Sequence, residues 1–450
     1  MPSFFVQNFG CRATQADGAA LESQLAVRGL ACVPDVSAAD FVILNTCTVT
    51  ASADNDVRQA VRHAHRPNPR SRILVTGCYA QRAPEELAAL PGVEWVVGNS
   101  HKSEIANLLA TLPHPGDAVP DRSDAAPYHS QILVGDIFAR QDFLTAPVMD
   151  APADRARPNL KIQDGCNNRC SFCIIPFVRG RSRSSTPETV IDQVRALAGR
   201  YREVVLSGIN LGRWGREPGS RMRLVNLLRR LLAETEIQRL RLSSVEPMDF
   251  SDDLLGLIAE SPRIAKHVHA PLQSGCDRVL RRMHRKYRPR HYAGRVLRAR
   301  RLMPDAAIGA DVMAGFPGET DTEFDESRAF IESLPFTYLH VFTYSERPGT
   351  PAAEAPDQVP MHVRHERAHN LRELAAKKNL EFRCRMIGRK LSVVTLVEPR
   401  AALSDNYLKV QLASFRPANE MIEIEIGGLE GAGLREAQHA NALTVLSAGS

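Results

Sequence analysis

The sequence predicts an α/β protein in three parts: an N-terminal open parallel α/β domain, a central incomplete barrel of about six βα units, and a small C-terminal all-β domain. Three observations carry this. Short apolar runs alternate with helical patterns over the first hundred residues, a longer alternation begins at Leu160, and beyond residue 385 the pattern becomes short strands alone.

In the first part, apolar runs at 4–6, 41–44 and 73–75 are each followed by a helical stretch, at 15–27, 51–65 and 84–90. This βαβα order requires a parallel sheet with helices on its faces. From about 111 to 157 the chain turns rich in Pro, Asp, Ala and Ser, although QILVGDIF (131–138) reads as one more strand. The boundary falls there, giving a domain over 1–112 and a linker over 113–156.

The central domain, 157–385, has strands near 160–163, 203–207, 239–243, 267–272, 307–312 and 338–343. Helices at 187–198, 224–234, 252–260 and 322–333 separate them. Six units are fewer than the eight of a closed barrel, and functional residues of such sheets lie just after the strands. A polar helix over 362–385 leads to runs at 391–397, 407–410 and 421–426, the all-β tail of 386–442.

With 450 residues and 44% hydrophobic content, the chain can bury more than one core. No window approaches the roughly 20 apolar residues of a membrane span. MPSFFVQNFGC lacks the basic stretch and apolar core of a signal peptide, so a cytoplasmic protein without a membrane partner is expected. Nine cysteines are too sparse for a secreted disulfide scaffold and read as buried thiols, ligands or nucleophiles. Lys and Arg number 57 against 51 Asp and Glu, a net of +6 that only weakly favours a polyanionic partner.

GCNNRCSFCIIP follows the first central strand, placing Cys166, Cys170 and Cys173 on one loop at the functional end of the sheet. At 9 cysteines in 450, chance would give this triplet at a given start about once in 100,000. Three thiolates on a four-iron cubane leave one iron without a protein ligand. A zinc site with a fourth ligand from elsewhere is the competing reading, and the barrel context argues against it. Cys11, Cys47 and Cys78 are far apart in sequence, yet each ends a strand: FFVQNFGC, FVILNTC and RILVTGC. Ligands of open α/β sheets bind beyond the carboxyl ends of the strands, so these thiols should converge into a second three-cysteine set. Taken singly each would be a structural thiol, as is expected for Cys32, Cys276 and Cys384.

Eleven of the 24 residues from 278 to 301 are Lys or Arg, a run that attracts phosphate or serves as a solvated helix face. Arg281, Arg282, Arg285 and Lys286 are the RNA-contact candidates. Arg179, Arg181 and Arg183 lie beside the cysteine loop, within expected reach of substrate phosphate or a cofactor carboxylate.

The loop resembles the radical S-adenosylmethionine superfamily, and Phe172, just before the last cysteine, matches its pattern. That resemblance implies a 4Fe-4S cluster on the catalytic Cys166, Cys170 and Cys173. Its open iron takes the amino and carboxylate groups of S-adenosylmethionine, and reduction releases a 5′-deoxyadenosyl radical. With IIPFVRGRSRS, SGINLG, RLSSVEP, HAPLQSG, GFPGET and the β tail, nearly the whole chain resembles the methylthiotransferase family. The resemblance implies two 4Fe-4S clusters, the second on Cys11, Cys47 and Cys78 and holding the sulfur to be transferred, and a TRAM-like RNA-binding tail. It also implies that Gly208, Asn210, Ser243, Glu246, Gln273, Ser274 and Gly315 surround the cofactor. Each glycine reads equally as a turn requirement, and Glu246 as a loop carboxylate.

Among the branches, NTCTVTASADNDVRQAVRHAHR (45–66) resembles the one acting on N6-threonylcarbamoyladenosine, in which Thr48 to Thr50, Arg58 and Gln59 recur. The target is then C2 of the modified adenosine, and the partners are a tRNA anticodon stem-loop and a flavodoxin- or ferredoxin-type electron donor, with the chain a monomer. Alternatives are isopentenyladenosine in tRNA, a ribosomal-protein aspartate, and an RNA-binding iron-sulfur redox sensor without turnover. The family usually has Asn three residues after the first cysteine and an acidic residue three further on; here Thr14 and Asp17 stand there. Ser185 stands where relatives commonly have an arginine.

Overall fold

The first strand, FFVQ and its flanks, finds parallel partners on both sides in the computed structural model, which describes residues 1–112, 130–139, 156–217 and 219–438. The N-terminal strands are β1 (Ser3–Asn8), β2 (Ala31–Cys32), β3 (Phe41–Thr46), β4 (Arg72–Gly77), β5 (Val93–Gly98) and β6 (Gln131–Leu133). They form one parallel sheet in the order β2-β1-β3-β4-β5-β6. Every residue of β3 and β4 is buried, as a parallel sheet covered on both faces requires. Leu21 and Leu25 of the helix Arg12–Val27 pack with Ile105 on Phe4, Ile43 and Trp95. On the other face, Val57 and Val61 of the helix Ala51–His65 pack with Tyr79 and Leu87 on Val42, Leu44 and Val75. Thr50 starts that second helix by accepting a hydrogen bond from the Ala53 amide at 3.2 Å.

The run 131–138 is a strand only over Gln131–Leu133, after which the Gly135 amide donates to Ser100 Oγ and the chain turns away. Since β6 is an edge strand of the first sheet, that sheet extends past the boundary expected at 112. The rest of the expected linker, 113–129 and 140–155, lies outside the described residues, as does the expected tail boundary at 442.

The central strands are β7 (Asn159–Asp164), β8 (Arg183–Ser184), β9 (Glu203–Gly208), β10 (Arg239–Leu242), β11 (His267–His269), β12 (Ala307–Ala314) and β13 (Tyr338–Thr343). Two sheets, β10-β9-β7-β8 and β11-β12-β13, continue into one another through a parallel bridge from Leu240 to Ile264. Apart from the short antiparallel β8, the strands are parallel, giving the expected six-unit open barrel. Thr186 caps the helix Pro187–Ala198, and a Thr320–Glu323 capping box starts Asp321–Ser333.

Alternation along these strands separates two environments. Leu160, Ile162, Val204, Leu206, Leu240, Val268, Ile308, Ala310 and Val312 face the helices in one large apolar core. The intervening residues, among them Lys161, Gln163, Glu203, Arg241, His267, His269 and Asp311, line a polar inner face and are mostly buried. The helix Arg12–Val27 lies against β7 and β9, with Asn159 Nδ2 donating to the Arg12 carbonyl at 2.6 Å.

The helix Met361–Arg385 leads to β14 (Lys390–Thr395), β15 (Ala401–Ser404), β16 (Lys409–Gln411), β17 (Met421–Glu430) and β18 (Gly433–Glu436), a closed barrel in the order β14-β15-β16-β18-β17. It packs where the central strands begin. Arg241 donates to the carbonyls of Ser404 and Asp405 at 2.9 and 3.1 Å, and Tyr407 stacks on His267 with ring centroids 4.5 Å apart.

Glu203 anchors this end. Its buried carboxylate accepts from Arg241 at 2.8 Å and Arg157 at 3.1 Å, with Arg239 at 3.4 Å. Burial pushes its pKa up, but the arginines prevail and bring it from 4.5 to about 2. A carboxyl held below its unfolded value contributes fully above that value, so this stabilisation is present above about pH 4.5 and lost as pH falls through about 2. Glu203→Gln is expected to cost about 3–5 kcal/mol in chemical denaturation at pH 7, because it strands buried cations. It should also flatten the loss of stability on acidification. A cost under about 1 kcal/mol would show that the cluster does not hold this end together.

Candidate active site

The loop after β7 is pinned at several points. Cys166 N donates to the Gly180 carbonyl at 3.1 Å, and Cys173 N to the Cys170 carbonyl at 3.1 Å. Ser171 Oγ donates to the Arg282 carbonyl at 2.7 Å. Cys166 Sγ accepts from the Asn168 amide at 3.4 Å, with Asn210 Nδ2 at 3.8 Å, and Cys170 Sγ accepts from Arg285 Nη1 at 3.2 Å. Burial, reinforced by the neighbouring thiols, raises the Cys166 pKa and pushes that of Cys173 up to about 12. Such thiols ionise when a cation shares their charge, so metal binding here releases protons.

The cofactor candidates fall into two kinds. Asn210 Oδ1 and Ser243 Oγ are buried without a hydrogen-bond partner, which leaves both free to take a polar ligand. The Asn210 amide donates to Gln163 Oε1 at 2.6 Å, where Gly208 passes closely over the Gln163 side chain. Glu246 is paired with Arg285 at 2.6 Å. The others shape loops. Gln273 has a φ of 66° and Ser274 Oγ accepts from the Cys276 amide at 3.2 Å. Gly315, at φ +74°, leaves room for Arg364, and Phe172 meets Phe316 edge-on at 6.4 Å.

The second set stands at the carboxyl ends of the first sheet. Cys11 precedes the helix Arg12–Val27, Cys47 follows β3, and Cys78 follows β4. Glycines make the approach possible: a Cβ on Gly10 would lie 2.8 Å from Cys47 Sγ, and one on Gly77, at φ +102°, 2.4 Å from the Thr46 carbonyl oxygen. Burial and the nearby Cys78 and Cys11 push the Cys47 pKa up to about 12. Cys78 packs on Ile174 and Val178, in the turn that follows Cys173, so one member of the second set lies against the turn that leaves the first. Asn99 Nδ2 bridges the same contact, donating to Val178 O at 2.7 Å and approaching Cys78 Sγ at 3.6 Å.

Beneath this contact runs a buried charge network. Asp17 takes Lys102 at 3.1 Å, Arg179 at 3.1 Å and Lys161. Asp164 takes Lys161 at 2.8 Å and Arg179 at 3.0 Å, with Arg183 at 3.4 Å. Asp17 and Lys102 belong to the first domain, and the rest to the barrel. Two carboxylates face three fully buried cations, and Arg179 Nε has no partner. Burial disfavours the charge on Arg179, but Cys78, Asp164, Asp17 and Cys11 raise its pKa well above the usual value. Surplus buried positive charge beside three thiols suits an anionic thiolate-bound cluster.

Thr14, where relatives have Asn, still reaches the set: its Oγ1 lies 3.6 Å from Cys11 Sγ and accepts from Arg179 at 3.4 Å. Ser185 is buried, its Oγ unpartnered and its carbonyl accepting from Trp214. Arg179 is buried in the network, away from any surface phosphate. Within the basic run, Arg281 and Lys286 are exposed, while Arg282 forms two hydrogen bonds to Glu323. Arg285 differs from expectation, being buried against Cys170 and Glu246, so its charge is not presented at the surface. Thr48 accepts from Arg82 at 2.8 Å and donates to Asp54 at 2.6 Å, in a network with Arg347 of the barrel. Lys102, Lys161, Asp164 and Arg347 have no local sequence signal: Lys161 and Asp17 are 144 residues apart.

Residues 3–98 match the model of an uncharacterized protein family, UPF0004, and residues 160–331 that of the radical SAM superfamily. The chain is 35% identical to the threonylcarbamoyladenosine tRNA methylthiotransferase MtaB of Aquifex aeolicus over 421 residues, 93% of this chain and 99% of the relative. It is 38% identical to the MtaB of Bacillus subtilis, over 85% of this chain and 84% of the relative. A tRNA-2-methylthio-N(6)-dimethylallyladenosine synthase from a Nocardioides species is 34% identical over 87% and 77%. In fold, the chain is similar to the radical S-adenosylmethionine methyltransferase TsrM of Kitasatospora setae, with a TM-score of 0.56 at 15% identity over 78% of this chain and 77% of that one.

Asp17→Asn removes the carboxylate that three buried cations share. It is expected to cost about 3–5 kcal/mol and to speed amide exchange in the helix Arg12–Val27 and in β7 well beyond that in the C-terminal barrel. Unchanged exchange in both elements would show that the network does not dock the domains.

Proposed function

The chain belongs to the MtaB-like radical S-adenosylmethionine methylthiotransferase family, and from that premise we propose that it places a methylthio group on C2 of N6-threonylcarbamoyladenosine beside the anticodon of tRNA. The observation that supports this reading is the packing of Cys78 on Ile174 and Val178, in the turn that follows Cys173. When bound, two 4Fe-4S clusters and S-adenosylmethionine supply the radical, the sulfur and the methyl group. The chain's own part is to hold and orient. Arg285 steadies Cys170 and Glu246 together, Asn210 and Ser243 offer unpaired polar atoms, and Arg179 offsets negative charge beside Cys78 and Cys11. A low-dielectric surround strengthens these charge effects.

Branch choice rests on Thr48 to Thr50, Arg58 and Gln59. Thr50 caps a helix and Thr48 joins the Asp54–Arg82–Arg347 network, which supports these positions as fixing how the first domain meets the barrel. The exposed Arg281 and Lys286, with the closed C-terminal barrel, are proposed to contact the anticodon stem-loop. Electrons come from a flavodoxin- or ferredoxin-type donor, and the enzyme works as a cytoplasmic monomer. Among the described residues, no helix is long and apolar enough to cross a membrane.

Anaerobic reconstitution with iron and sulfide is expected to give roughly eight irons per wild-type chain and roughly four in Cys47→Ala, with cofactor cleavage to 5′-deoxyadenosine retained in the variant. Four irons in both proteins would remove the second cluster. Mass spectrometry of tRNA nucleosides from a strain lacking this chain should show unmethylthiolated threonylcarbamoyladenosine, restored by wild type but not by Cys78→Ala. Loss confined to the dimethylallyladenosine product would instead assign the chain to that branch.

A further inference from the structure

We infer that His269, Asp311 and His340 form a binding site for one divalent transition-metal ion, apart from both sets of cysteines. The three residues come from adjacent strands, β11, β12 and β13, and project from the polar inner face of the open barrel. Strand register sets Asp311 directly beside His340 and pairs His269 with Gly309, two residues before Asp311. One donor atom from each lies within 4.8 Å of the others. Asp311 Oδ1 is 3.2 Å from His269 Nε2 and 3.2 Å from His340 Nδ1. Tetrahedral zinc with bonds of about 2.0–2.1 Å separates its ligand atoms by roughly 3.3 Å, which matches the two distances from Asp311.

A second observation concerns the deepest ligand. His269 is only 5% exposed, and its Nε2 faces Asp311 Oδ1 at 3.2 Å without meeting it in hydrogen-bond alignment. Its other nitrogen, Nδ1, is held at 2.7 Å by the Tyr338 hydroxyl, which is 2.6 Å from His267 Nε2. A ligating histidine is oriented in this way, through a hydrogen bond at the nitrogen that does not bind metal. The tyrosine is accommodated because residue 309 is glycine: a Cβ there would lie 2.0 Å from Tyr338 Cζ.

Two imidazoles and one carboxylate suit zinc, ferrous iron or manganese rather than magnesium or calcium, which prefer all-oxygen sets. His340 is half exposed and Asp311 partly so, which leaves the remaining coordination positions open to the barrel interior. A hydrogen bond explains the 3.2 Å approach of His340 Nδ1 to Asp311, whereas His269 Nε2 stands at the same distance out of hydrogen-bond alignment.

The test uses the enzyme with its cysteines already loaded by reconstitution with iron and sulfide, then incubated with zinc and desalted. One zinc per chain is expected, with a zinc-edge absorption spectrum showing nitrogen and oxygen ligands only. His340→Ala, at an exposed position that folding should tolerate, is expected to lose the zinc while keeping its full iron. Tyr338→Phe should weaken zinc binding roughly 10- to 100-fold. No retained zinc in the loaded wild-type enzyme, zinc retained equally by His340→Ala, or sulfur in the zinc shell would each overturn the inference.

Discussion

The carboxylate of Asp17 joins two domains that otherwise have separate cores. It gathers Lys102 of its own domain with Lys161 and Arg179 of the barrel, and Asp164 continues the chain of charge to Arg183. Buried ion pairs contribute little net stability when compared with apolar packing of the same volume, but they penalise misalignment heavily. That is the property this interface needs. Each set of thiols is fixed by its own domain, and only the docking decides how far one lies from the other.

The polar inner face of the barrel follows from the same requirement. A barrel core could be filled with branched aliphatic side chains. Here the aliphatic residues point outward to the helices, and Lys161, Glu203, Arg239, Arg241, His267 and His269 point inward. The N-terminal helix meets the barrel through Asp17 and the Arg12 carbonyl, and the C-terminal barrel meets it through Tyr407, Ser404 and Asp405. Three domains are thus keyed to one another through the interior of the middle one, and Arg12 reaches Tyr407 within it at 3.4 Å.

How much of this was legible in the sequence depended on distance along the chain. Cys166, Cys170 and Cys173 are a local pattern, and Cys11, Cys47 and Cys78 were readable because each closes an apolar run that can only be a strand. Strands of six residues or so announced themselves. β2, two residues long, exists only because Ser3 and Phe4 pair with it. The pairing of Asp17 with Lys161 could not be read, since nothing local marks a lysine as buried. Arg285 was misread for a related reason: a basic run looks the same whether a given member faces solvent or, as here, turns inward to Cys170 and Glu246. The inner-face triad of His269, Asp311 and His340 was invisible until strand register placed three separate segments side by side.

Docking through Asp17 packs Cys78 on Ile174 and Val178, and the proposed function puts one cluster on each side of that turn. Anomalous diffraction at the iron edge from crystals of the reconstituted wild-type protein tests it most directly. The account predicts two separate iron peaks flanking the Ile174–Val178 turn, one bounded by Cys11, Cys47 and Cys78 and the other by Cys166, Cys170 and Cys173. A single peak at the loop after β7, or a second peak remote from Cys78, would contradict it.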